Sequence, residues 1–96
     1  MPYTNRERTV YKVYYDRLED SQSSEVRRQR TLDDAKRVAL ELMKTGEAVR
    51  VQIKQELQIQ DPVTGIWTTV KSKTYDLIDL DSNQWYEYDW VRVSLW

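Results

Sequence analysis

The 96-residue chain contains no cysteine, no histidine and no phenylalanine, and only two glycines and two prolines. The lack of cysteine excludes a disulfide framework, a thiolate zinc site and a cysteine nucleophile. The lack of histidine removes imidazole as a base or metal ligand. Phosphate-binding loops need clustered glycines, which are missing as well. We therefore expect a protein that is not an enzyme and that has no cofactor, no metal and no small-molecule substrate.

The charge is abundant and nearly balanced, with 15 basic and 16 acidic residues and a net charge of -1. Hydrophobic residues make up 40% of the chain, which is too many for a disordered protein. A chain of this length buries roughly 60–65% of its unfolded surface and has little room for a deep pocket. We expect no secretory leader and no membrane-spanning segment, because charged residues follow the first few positions and no run of about 20 apolar residues occurs. We expect a single domain over residues 1–96 in the cytoplasm, a reducing compartment that suits a chain without cysteine.

One strand and one helix are predicted in the first half of the chain. Residues 9–18 are rich in β-branched and aromatic types, and their alternation places Tyr11, Val13 and Tyr15 on one face. A helix close to residues 32–45 is predicted, because Thr31 can cap its start and Gly46 can end it. Its apolar stripe consists of Leu32, Ala35, Val38, Ala39, Leu42 and Met43.

The segment between these two elements has two interpretations. Residues 19–30 are polar, with Val26 as the one apolar anchor, and we interpret them as a polar loop that could be mobile. Alternatively, residues 25–31 pair with the first strand through a turn at residues 20–23.

A β-hairpin is predicted in the second half. Residues 48–60 have the strictest alternation in the chain, which indicates one buried and one wet face. The buried set is Val49, Val51, Ile53, Leu57 and Ile59, and the wet set is Arg50, Gln52, Lys54, Glu56, Gln58 and Gln60. Residues 61–65 form a type I turn with a left-handed Gly65, leading into a strand over residues 66–77.

The last stretch, residues 84–96, is apolar on both faces if it forms one strand. Odd positions carry Trp85, Val91, Val93 and Leu95, and even positions carry Tyr86, Tyr88, Trp90 and Trp96. The single helix can cover only one face of a sheet. We expect an α+β two-layer sandwich of order β-α-β-β-β, with one amphipathic helix on a mainly antiparallel sheet of about four strands and an aromatic second face.

One pattern resembles the start of a calcium loop. Asp79, Asp81 and Asn83 offer three oxygen ligands at the right spacing. However, Gln84 stands where the loop needs glycine, and Trp90 stands where a bidentate glutamate would close it. We expect a turn here, because aspartate and asparagine are also the residues that turns favour.

An interaction surface is predicted in the C-terminal half. Residues 1–54 carry a balance of +3 and residues 55–96 a balance of -4, and residues 74–91 contain no basic residue. Tyrosine and tryptophan are enriched at binding hot spots. We expect a non-enzymatic regulatory or inhibitor-type module that binds a protein partner, preferably basic, or a second copy of itself. The expected contact residues are Tyr86, Tyr88, Trp90, Asp76, Asp79, Asp81 and Asp89.

Two alternatives remain open. Arg27, Arg28 and Arg30 are interpreted first as a solvated run with ion pairs to nearby acids, and second as a phosphate-binding group. With stacked Tyr or Trp, the second interpretation predicts a single-stranded nucleic-acid-binding protein, although the acidic pI of 5.4 argues against it. The other alternative is a structural subunit of a larger assembly.

Overall fold

The computed structural model of the protein describes residues 6–17 and 24–93, and for residues 24 and 25 the backbone alone. The elements are β1 (Arg6–Asp16), β2 (Ser24–Gln29), α1 (Leu32–Lys44), β3 (Arg50–Gln60), β4 (Trp67–Asp79), β5 (Gln84–Glu87) and β6 (Val91–Arg92). The strands form one antiparallel sheet of order β2-β1-β3-β4-β5, with β6 also paired to β4. The predicted α+β fold class is confirmed, with more strands than the four expected. Within the described ranges, no helix is long and apolar enough to cross a membrane.

The segment interpreted as a polar loop contains a strand, so that interpretation is wrong for residues 24–29. Strand β2 pairs antiparallel with β1, from Asp16 opposite Ser24 to Tyr11 opposite Gln29. This is the alternative pairing, and the turn proposed at residues 20–23 lies outside the described residues. A strand forms from these polar residues because β1 offers a free edge, whose hydrogen bonds do not depend on side-chain type.

Helix α1 has the predicted position and ends. The Thr31 hydroxyl accepts a hydrogen bond from the Asp34 amide at 3.1 Å, and Gly46 follows the helix with a φ of 79°. Ala35, Ala39 and Leu42 are buried, and they pack with Val13, Tyr15, Val51, Ile53 and Tyr75 of the sheet. The core therefore lies between the helix and the centre of the sheet.

The β3–β4 hairpin is also confirmed. The Asp61 carboxylate accepts hydrogen bonds from the Val63 and Thr64 amides, and Gly65 has a φ of 76°. The hairpin carries a bulge beside Leu57 and Gln58. Leu57 and Ile59 are only half-buried, whereas Glu56 and Gln58 from the set predicted to be wet are buried. Val49, which precedes β3, is exposed although it was predicted to be buried. The predicted burial pattern therefore fails at these five positions.

The C-terminal stretch is two short strands, so the prediction of one continuous strand is wrong. The Thr74 carbonyl accepts a hydrogen bond from the Tyr88 amide, and Ser72 lies opposite Val91. The chain thus advances three residues, from 88 to 91, where β4 advances two, so it contains one extra residue. A one-residue insertion reverses which face each later side chain occupies. The predicted alternation therefore holds at Trp85 and Tyr86 and fails after Tyr88. Leu95 and Trp96 lie outside the described residues.

Candidate interaction surface

The sheet has a helix side, on which α1 packs, and an opposite face that α1 does not contact. Directly paired residues of antiparallel strands point to the same face, so the register assigns the side chains of this second face. We call it the open face. It carries Val26 and Arg28 of β2; Arg6, Arg8, Val10, Lys12, Tyr14 and Asp16 of β1; Arg50, Gln52, Lys54, Glu56, Gln58 and Gln60 of β3; Trp67, Thr69, Ser72, Thr74 and Asp76 of β4; and Tyr86, Tyr88 and Val91 beyond.

Two of the predicted contact tyrosines lie together at one margin of the open face. Tyr86 is 54% exposed and Tyr88 is 45% exposed, and their ring centroids are 4.6 Å apart in an edge-on arrangement. The Asp76 carboxylate raises the pKa of Tyr88 above its usual value, because its capacity to accept a hydrogen bond and its charge favour the protonated hydroxyl. Asp76 also accepts a hydrogen bond from Gln52 Nε2 at 2.8 Å. We call Tyr86, Tyr88 and Asp76 the tyrosine edge, and the prediction that its tyrosines are exposed is confirmed.

The third predicted aromatic, Trp90, lies on the other side of the sheet. Its ring lies 4.8 Å from the Lys71 ammonium and 5.6 Å from that of Lys73, and both lysines share the helix side with Tyr75. Lys73 also binds Glu87, and this hydrogen bond raises the pKa of the lysine. The expectation that Trp90 shares the open face with Tyr86 and Tyr88 is therefore wrong, because the extra residue before β6 reverses its direction.

The remaining predicted acids are scattered. Asp79 accepts hydrogen bonds from the Asp81 amide and the Ser82 hydroxyl, so it holds the β4–β5 turn together. Asn83 takes a positive φ of 55° and accepts a hydrogen bond from the Trp85 indole. Asp81 and Asp89 are exposed. Over residues 6–17 and 24–93, no group of three metal-ligating side chains is close enough to hold an ion.

The centre of the open face is a buried polar network that sequence reasoning missed. The Glu56 carboxylate forms an ion pair with Lys12 at 3.0 Å and accepts hydrogen bonds from Thr69 and Gln58. Burial would raise the pKa of Glu56, but the bonds from Lys12, Thr69 and Gln58 outweigh it, and the pKa lies below its usual value. These neighbours come from three strands, so the alternation of β3 alone gave no signal of this burial.

The half of the open face that β2, β1 and β3 form is basic. Arg28, Lys12 and Lys54 lie directly opposite one another on β2, β1 and β3. Like charges in such cross-strand pairs repel each other. Lys12 is neutralised by Glu56, but within the described residues neither Arg28 nor Lys54 forms an ion pair with an acid. We call these three residues the basic row.

The three arginines singled out in the sequence do not act as one group. Arg27 lies on the helix side, where it forms an ion pair with Glu47 and lies over the Tyr15 ring. Arg28 and Arg30 line a cavity of about 380 Å³ beside residues 8–10 of β1. The structure thus separates Arg27 from the other two, because successive residues of a strand point to opposite faces.

Two further aromatic side chains on the open face were not predicted as contact residues. The Arg8 guanidinium lies 4.1 Å from the Trp67 ring centroid, and Lys54 lies 5.2 Å from that of Tyr14. Each aromatic ring therefore has a cation beside it. The signal was present in the alternation of β1, which puts Arg8, Lys12 and Tyr14 on the face opposite Val13.

No protein-family model matches the chain, and no curated protein and no solved structure is significantly similar to it.

Proposed function

We propose that the protein is a small binding module that contacts a basic protein surface through the tyrosine edge. The observation that carries this proposal is the exposure of Tyr86 and Tyr88, side by side, on a face that the helix does not cover. Tyrosine is enriched at protein interfaces, because it combines an apolar ring with a hydroxyl that can bond to a partner.

The position of these tyrosines supports a protein partner. Strand β5 is the last strand in the sheet order, and within the described part of the chain no strand pairs with its outer side. An edge of this kind can accept an extended segment of another protein, whose alternate side chains would then meet the tyrosines. Such a partner gains backbone hydrogen bonds as well as aromatic contacts.

The charge of the region supports a basic partner. Asp76 belongs to the tyrosine edge, and residues 74–91 contain five acidic residues and no basic one. Charge complementarity raises the rate of association and excludes acidic competitors. A regulatory or inhibitor-type role without catalysis, exercised in the cytoplasm, is the function that we propose for such a surface.

The test is a titration with a fluorescent, extended lysine-rich peptide at low salt. Wild-type protein is expected to bind it, and the double variant Tyr86→Ala/Tyr88→Ala to bind at least about tenfold more weakly, because hot-spot residues each contribute about 1–2 kcal/mol. Trp90→Ala is the matched control and should bind as wild type does. A wild-type protein that fails to bind, or a double variant that binds equally well with an intact helix signal, would contradict the proposal.

The basic row favours a second candidate function, the binding of single-stranded nucleic acid across the basic half of the open face. Phosphates would meet Arg28 and Lys54, and bases would meet Tyr14 or Trp67. Wild-type protein should then bind a mixed-sequence oligonucleotide at low salt and lose affinity as salt rises, with Arg28→Glu binding more weakly. No binding at low salt would reject this candidate.

A further inference from the structure

We infer that the two margins of the open face are complementary to each other and that the partner of this face is a second copy of this chain. The inference rests on the proposed function, since it identifies the basic surface that the tyrosine edge binds as the β2 margin of another molecule, where Arg28 lies. The two regions lie on opposite halves of one face: Arg28 is on β2 at one margin, and Asp76 lies near the other on β4.

A single symmetry operation brings the two halves together. The operation is a half-turn, that is, a rotation of 180° about an axis that runs parallel to β3 and lies between the two molecules. It places one open face on the other, so that the β2 margin of each copy meets the β5 margin of its partner. Arg28 then lies opposite Tyr88 of the second copy and near its Asp76. The same contact occurs twice, because the interface is isologous.

The apolar residues of the two margins also match. Val26 is 48% exposed. Across the strands it is aligned with Tyr14, Gln52, Asp76 and Tyr86, each paired with the next. The half-turn places Val26 opposite Tyr86 of the second copy. Two exposed apolar side chains therefore cover each other, and each lies beside an Arg28 to Asp76 contact.

The size of the face suits a dimer. Five strands about 4.8 Å apart span about 24 Å, and β1 and β3 pair over 11 residues, which is about 36 Å. Since the outer strands are shorter, the face has an area of roughly 600–700 Å². Stable interfaces bury about 600–1,000 Å² on each partner, so a face of this size reaches the lower end of that range only if the contact uses all of it, including both margins.

The alternative of a different basic protein is less well supported. It would leave Arg28 and Val26 at the β2 margin facing solvent. Self-association instead gives Arg28 an aromatic and acidic partner and covers Val26, while Lys54, which lies on the axis, is the one member of the basic row that meets its own copy.

The experiment is sedimentation velocity over a wide range of protein concentration, with two opposite charge reversals. Wild-type protein is expected to form a dimer. Arg28→Glu and Asp76→Lys are each expected to raise the dimer dissociation constant by at least about 100-fold, because each reversal creates two repulsive contacts. An equimolar mixture of the two variants should dimerise again, since Glu at position 28 then meets Lys at position 76. Arg37→Glu, a charge reversal on the helix, should dimerise as wild type does.

The other outcomes distinguish this inference from the proposed function. A wild-type protein that remains monomeric but still binds the lysine-rich peptide overturns self-association and leaves the proposed function standing. A monomer that does not bind the peptide contradicts both. A dimer that both reversals leave intact overturns the inference, because its interface then lies elsewhere.

Discussion

Replacing Ile53 with alanine is expected to lower the free energy of unfolding by about 3–4 kcal/mol, the usual cost of removing a buried isoleucine side chain. Ile53 is fully buried at the centre of β3, between the helix and the sheet. The neighbouring strands hold its backbone on both sides, so the core cannot close readily around the lost atoms. For a domain of this size, the fall corresponds to a decrease in Tm of about 15–25 °C, measured by circular dichroism.

The matched control is Ile78→Ala. Ile78 is 62% exposed and lies at the irregular position of the β4–β5 pairing. The same substitution there removes little buried area and should change the free energy of unfolding by no more than about 0.5 kcal/mol. Equal effects at positions 53 and 78 would mean that the core is not where the structure places it.

Replacing Glu56 with glutamine is expected to destabilise the protein by about 1–3 kcal/mol at neutral pH, the range for a hydrogen-bonded charged group. The substitution keeps the shape of the side chain but removes the charge that faces Lys12. Lys12 then remains on the face without its carboxylate, which costs more than the loss of one contact.

The stability that Glu56 contributes is expected to fall as the pH is lowered. The pKa of Glu56 is lowered in the folded protein, so the stabilisation is fully present above the unfolded-state pKa, near 4.5. It is lost as the pH falls through the lower, folded-state pKa. Urea unfolding at several pH values should therefore show the wild-type and Glu56→Gln curves converging progressively as the pH falls below about 4.5.

Glu41→Gln serves as the control for this experiment, because Glu41 is exposed on the helix. Its unfolding free energy should follow that of the wild type over the same pH range. A constant difference between wild type and Glu56→Gln at all pH values would show that shape, and not charge, explains the effect.

Local signals allowed correct prediction of the helix and the central hairpin. Thr31, Gly46 and Gly65 have conformational requirements that do not depend on distant residues, so their positions follow from the sequence itself. The apolar stripe of α1 then indicated which face of the sheet is covered.

The errors arose where distant residues decide the outcome. The strand at residues 24–29 forms from a polar segment because β1 supplies its hydrogen bonds. Glu56 and Gln58 are buried by side chains of neighbouring strands, which a pattern within β3 cannot reveal. Trp90 was assigned to the wrong face because one inserted residue is invisible in an alternating pattern.

These errors change the candidate site in a specific way. Tyr86 and Tyr88 stay together with Asp76, whereas Trp90 belongs to a separate contact with two lysines. The basic half of the open face emerges only when strands β1, β2 and β3 are placed side by side. The surface is therefore polarised across the sheet and is not uniformly acidic.

Hydroxyl-radical footprinting tests most directly whether the open face is a contact surface. The reactivity of Tyr86, Tyr88 and Trp90 would be measured at low protein concentration, at high concentration and with excess lysine-rich peptide. Protection of Tyr86 and Tyr88 at high concentration or with peptide, with Trp90 unchanged, is the result that we predict. Unchanged tyrosines under every condition, or protection confined to Trp90, would contradict it.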